Sequence, residues 1–169
     1  MMASIMRYQL IPHQHFINMS ENKTTRVESR IEVNTYIDRL KYALSNGAVI
    51  TFQIKRLVDD SRDEHYTNQY TINKLFPDKD PTEVLRDSLQ ALSVEEYIHT
   101  VKDLKFPNRS DMRVFGRTYE GSGDVYIKIR VELLGEFGEK TVFVMSFHFA
   151  ETAFTNDIFP YKETWEDLK

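Results

Sequence analysis

Residues 112–149 read MRVFGRTYEGSGDVYIKIRVELLGEFGEKTVFVMSFHF, and this stretch decides the fold. Three runs in it are rich in β-branched and aromatic residues: about 112–119 (MRVFGRTY), 124–134 (DVYIKIRVELL) and 140–149 (KTVFVMSFHF). The connections between them, Glu120 to Gly123 and Gly135 to Glu139, contain glycine and have hairpin length. The spacing predicts an antiparallel meander. Side chains alternate along a strand, so Val125, Ile127, Ile129 and Val131 share the core face of the second run, while Tyr126, Lys128, Arg130 and Glu132 point the other way. In the third run Phe143, Met145, Phe147 and Phe149 alternate with Val142, Val144, Ser146 and His148. In the first, Arg113, Phe115, Arg117 and Tyr119 lie on one side. One open sheet face is expected to gather Tyr126, Lys128 and His148, with Arg113 or Arg117 beside them.

Helical signals precede the meander. Val33, Ile37, Leu40 and Leu44 fall at helical spacing and predict a helix over 31–46, ended by Asn46-Gly47. AVITFQI (48–54) reads as a strand and 57–70 as a polar loop. Asp80-Pro81-Thr82-Glu83 is a helix start, with aspartate as cap and proline in the first turn; Val84, Leu85, Leu89 and Leu92 supply its apolar stripe. Ser93-Val94-Glu95-Glu96 is a capping box, predicting a second short helix to about Val101. Pro107 to Ser110 is a turn cluster. The class expected is α+β, an antiparallel sheet with helices packed on one face. Residues 1–30 read as a poorly ordered extension, 31–151 as the domain, and 152–169 as an acidic tail with Phe154, Phe159, Tyr161 and Trp165 as packing points.

Composition narrows the chemistry. The 169 residues suit one domain, and the absence of cysteine removes thiol nucleophiles, zinc-thiolate sites and disulfides. No run approaches the ~18 apolar residues of a membrane span, and the N-terminus is too polar for a secretory signal, so a cytoplasmic location is expected. The net charge of −4 opposes binding to a polyanion. Its distribution relieves this: residues 101–150 carry eight Lys/Arg against seven Asp/Glu, while 151–169 carry two against five. No phosphate-cradling glycine loop, dinucleotide fingerprint or serine-hydrolase elbow occurs. His13 and His15 have a chelating spacing without a third ligand, and His65 stands apart.

The residue types on the open face match metal-free RNA cleavage. That reaction needs a base for the 2′-hydroxyl, donors for the charged phosphate and an acid for the leaving 5′-oxygen. Histidine suits the proton transfers, lysine and arginine the phosphate, and tyrosine can orient, donate or stack.

The ordered segments Leu92-Ser93-Val94-Glu95-Glu96-Tyr97 with His99, then Val125 to Ile129, then Val144 to His148, resemble the MqsR family of bacterial toxins, over roughly 31–151. The resemblance implies a RelE/MqsR-like curved antiparallel sheet and ribosome-independent cleavage of single-stranded mRNA without metal or other cofactor. It also implies neutralisation by a cognate antitoxin. Tyr126 matches the family's active-site tyrosine, and Lys128 a lysine common in that strand. His148 and His99 stand where the family carries lysines, and they are taken as the proton-transfer pair. Arg117, or Arg113, is the remaining phosphate-binding candidate. A non-catalytic interaction module on the same fold, phage or plasmid encoded, is the alternative from another class.

Overall fold

The computed structural model describes residues 23–133 and 139–163. Among these residues six strands form one open sheet: β1 (Lys23–Arg26), β2 (Val49–Phe52), β3 (Tyr97–Asp103), β4 (Met112–Tyr119), β5 (Gly123–Glu132) and β6 (Thr141–Phe149). Their order is β1-β3-β4-β5-β6-β2. Every pairing is antiparallel except β2 with β6, which is parallel. Three α-helices among the described residues complete the α+β architecture: α1 (Arg30–Ser45), α2 (Asn68–Leu75) and α3 (Pro81–Gln90).

The core lies between one sheet face and the helices. Val33, Leu40 and Leu44 of α1 and Leu85 and Leu89 of α3 are buried with Phe115, Ile127, Ile129, Val144 and Phe147. The helix ends follow the sequence. Ser29 and Glu32 form a reciprocal capping box on α1, Gly47 takes a positive φ of 77° just beyond it, and Asp80 caps α3 with Pro81 in its first turn.

Four expectations change. Ser93 and Glu96 do form a capping box, but it opens a single 3-10 turn, Val94–Glu96. Residues from Tyr97 on are β3, not helix, because the aromatic and β-branched run YIHTV pairs with β1 on one side and β4 on the other. The expected loop at 57–70 holds 3-10 turns at Leu57–Ser61 and Glu64–Tyr66 and the start of α2. Of the N-terminal lead-in, residues 23–26 form edge strand β1 and Glu28 is buried; 1–22, with His13 and His15, lie outside the described residues. So do most of the β5–β6 connection and Trp165.

The fourth change concerns facing. The β5–β6 register runs Lys128 to Ser146, then Ile129 to Val144, so Met145 is a bulge. One extra residue reverses the alternation. Val142 and Val144 therefore join Phe147 and Phe149 in the core, while Phe143 turns to the open face opposite Arg130. On β4, Arg113 pairs with Ile129 and Arg117 with Val125, which places both arginines on the helix face.

Beyond the end of β2, the outer edge of β6 is completed by side chains of α2. Asn68 accepts from the Phe147 N–H at 2.9 Å and donates to the Met145 carbonyl at 3.0 Å and the Gln53 carbonyl. Thr71 accepts from the Phe149 N–H at 2.8 Å. Asn68 is buried, so Asn68→Ala leaves backbone groups unpaired away from water. A loss of about 3 kcal/mol is expected, read as a lower urea midpoint at constant m.

Candidate active site

The open face can be read row by row from the register. Gly116, Tyr126 and His148 form one row across β4, β5 and β6; His99, Val114, Lys128 and Ser146 form the next across β3 to β6. Tyr126 and His148, direct partners, stack with ring centroids 5.4 Å apart and 23° between planes. Lys128 stands one residue pair further along. These three sequence candidates are brought together in a cleft of about 390 Å³.

Two arginines that the sequence did not single out form its far wall. The segment after β2 crosses over β6. The Arg56 N–H is held by Asp59 Oδ2 at 2.8 Å, and the Arg56 guanidinium donates to Ser146 Oγ at 3.1 Å. Arg62 brings Nη1 to 3.4 Å from His148 Nε2 and to 3.4 Å from the Tyr66 carbonyl, with Nε 3.8 Å from exposed Glu151. Burial lowers the pKa of Arg56, and Arg62 repels it further. Paired guanidiniums that repel each other attract an anion placed between them.

The tautomer of His148 follows from its partners. Nδ1 lies 2.9 Å from the Phe149 carbonyl, which can only accept, so Nδ1 carries the proton. Nε2 faces an arginine N–H, which can only donate, so Nε2 presents its lone pair to the cleft. Burial pulls His148 below the usual histidine value; its bond to the Phe149 carbonyl opposes this, and Arg62 and Arg56 add to it. Lys128 is lowered to about 8, first by burial and then by Lys23 and Arg56. Burial raises Tyr126, against the pull of Arg56, so its phenol remains a donor.

The other three candidates are not part of this cleft. His99 is on the open face, its pKa lowered by burial and by Lys128. However, β4 and β5 separate its strand from β6. Three strand spacings of about 4.8 Å put it roughly 15 Å from His148, too far for both to serve one phosphate. Arg113 donates to Glu28 through Nε at 3.0 Å and Nη2 at 2.8 Å and lies over the Tyr36 ring. Arg117 is bound by Glu96, with Nη2–Oε2 at 2.9 Å, and by the Ser88 carbonyl at 2.8 Å. Both are structural arginines whose charge is already answered. A larger opening of about 730 Å³ adjoins α1, but Glu28, Glu32 and Glu132 there offset Arg39, Arg109 and Arg113.

Among the described residues no group of three or more His, Asp or Glu side chains is placed to hold a metal ion, and no helix is long and apolar enough to cross a membrane. No family model matches the chain, and neither curated proteins nor solved structures give a significant match.

Proposed function

We propose that the chain is the toxin of a bacterial toxin–antitoxin pair. In this reading it is a metal-independent endoribonuclease that cleaves single-stranded mRNA on a RelE/MqsR-like sheet, and a cognate antitoxin keeps it inactive. The observation that carries this reading is His148 Nε2, turned toward a cleft that also holds Arg56, Arg62 and Lys128 while Nδ1 bonds the Phe149 carbonyl. Base, phosphate clamp and acid thus share one small space.

Arg56 and Arg62 take the non-bridging oxygens of the scissile phosphate. His148 Nε2 accepts the 2′-hydroxyl proton as the 2′-oxygen bonds to phosphorus. The bond from phosphorus to the 5′-oxygen breaks, and the Lys128 ammonium gives that oxygen its proton. The products are a 2′,3′-cyclic phosphate and a 5′-hydroxyl end. Tyr126 orients His148 by stacking and donates to the phosphate. His99, Arg113 and Arg117 take no part.

The direct test is antitoxin-free protein incubated with RNA in EDTA; intact RNA from folded protein overturns the reading. The pH dependence is a second test. His148 must be unprotonated, and its pKa is lowered, so kcat/KM holds down to below 6.5 and falls on the acid side of that. Lys128 must be protonated, so kcat/KM falls again as pH rises through about 8. Lys128→Arg stays charged but does not release its proton, so kcat/KM is expected to fall across the whole pH range and the alkaline limb to vanish with it. A non-catalytic interaction module is the competing reading. It is favoured by Leu57, 94% exposed on the turn that follows Arg56, and a stable protein partner with no RNA cleavage and no growth inhibition on expression would establish it.

A further inference from the structure

We propose that Phe154 is the nucleobase platform of the cleft: the base of a nucleotide whose phosphate lies between Arg56 and Arg62 stacks on its ring. This rests on the ribonuclease reading and concerns the part of the RNA that a phosphate clamp leaves unread.

After β6 the chain turns back onto the open face, and Asp124 fixes the return. The Asp124 carbonyl accepts from the Ala150 N–H at 2.8 Å, and its Oδ2 accepts from the Phe154 N–H at 2.6 Å. Its Oδ1 is held by the Thr118 hydroxyl at 2.6 Å. The Phe154 ring settles on Gly116, where a Cβ would come within 2.5 Å of a ring carbon. Only glycine leaves the ring this seat. Gly116 pairs directly with Tyr126, and Tyr126 with His148, so Phe154 stands at the end of the row that holds the base. Phe159 braces it edge-on at 5.7 Å.

Phe154 is partly exposed, and it lines the same cleft as Arg56, Arg62 and Lys128. Tyr126 and His148 use their facing sides on each other. Among the described cleft residues, Phe154 is the apolar ring left available to a base. Arginine–phosphate contacts are blind to sequence, whereas sites for single strands pair a cationic track with aromatic rings. Stacking on Phe154 gives the clamp a register: it decides which nucleotide lies beside His148.

The test uses the full chain and a labelled single-stranded oligonucleotide lacking 2′-hydroxyls, which cannot be cut by this mechanism. An abasic site is walked through its positions, and binding is read by fluorescence anisotropy. In wild type, one abasic position is expected to weaken binding by about tenfold. Phe154→Leu, which still covers Gly116, is expected to bind the intact strand about tenfold more weakly and to be indifferent to that position. Gly116→Ala, which keeps the ring but displaces it, is expected to behave alike. If Phe154→Leu retains the abasic penalty while wild type cuts all-ribose RNA, the platform is overturned and the nuclease stands. If wild type shows the abasic penalty, lost in Phe154→Leu, but leaves all-ribose RNA uncut, the platform stands and the nuclease reading falls. No binding of the intact strand by wild type overturns the platform, and if all-ribose RNA is also left uncut the nuclease reading falls with it.

Discussion

His148→Ala is expected to slow RNA cleavage by about 10³-fold, with KM changed far less. General-base catalysis contributes about 10²–10⁴-fold when the base is well placed, and among the described residues no other imidazole lines the cleft. His99→Ala is expected to leave the rate near that of wild type, because two strands separate His99 from β6. Single-turnover cleavage of a labelled RNA, with circular dichroism to confirm folding, measures both. A rate that falls equally in the two variants would mean that the proton relay spans the sheet, and the assignment of acid to Lys128 would be lost. His148→Gln is an informative companion. It is similar in size, and its amide can still donate toward the Phe149 carbonyl, but it cannot take a proton. It should be as slow as the alanine variant without the packing defect.

The second large effect is on stability. Glu28→Ala is expected to destabilise the fold by about 3–5 kcal/mol, the usual consequence of leaving one member of a buried ion pair alone. Glu28 has a side chain 5% exposed, and Arg113, which grips it with two N–H groups, is 19% exposed. Arg26 adds a third contact at 2.8 Å and is itself tied to Asp111. The backbone of Glu28 is also held: its N–H donates to the Tyr97 hydroxyl at 3.1 Å, and its carbonyl accepts from Tyr161. This residue therefore joins β1, the start of α1, β4 and the C-terminal segment. Equilibrium urea unfolding gives the number. The double variant Glu28→Ala/Arg113→Met should recover part of the loss, since removing both charges removes the stranded one. Full activity per folded molecule in either variant would fit Arg113's place on the helix face.

Much of this was legible in the sequence, and the misses have physical reasons. The run 112–119 coincides with β4 because alternation and flanking turns agree there. β3 was hidden because its capping box is real but caps only one turn; the competing strand preference of Tyr97 to Val101 is realised by partners far away in the chain. α2 was hidden because two of its three buried residues are Asn68 and Thr71, polar side chains that serve a strand edge and leave no apolar stripe to read. Arg56 and Arg62 carried no periodic signal. They reach the cleft only because the segment after β2 is laid across β6. Conversely, Arg113 and Arg117 were misassigned once alternation was extended to β4 without its pairing register, and a single bulge at Met145 upset the same argument in β6. Tyr126, Lys128 and His148 share the open face, as alternation expects, because all three lie on the same side of that bulge.

The parallel pairing of β2 with β6 also sets the order in which the molecule can be built. Its partners are about 90 residues apart in the chain, and contacts of such separation form late, since the entropy of closing the loop precedes their reward. The cleft straddles this seam: Arg56 and Arg62 arrive with the chain leaving β2, while Ser146 and His148 arrive with β6. A nascent chain that has made α1, α3 and the β4–β5 hairpin therefore owns Tyr126 and Lys128 but has neither base nor clamp. Docking of β6 creates both at once.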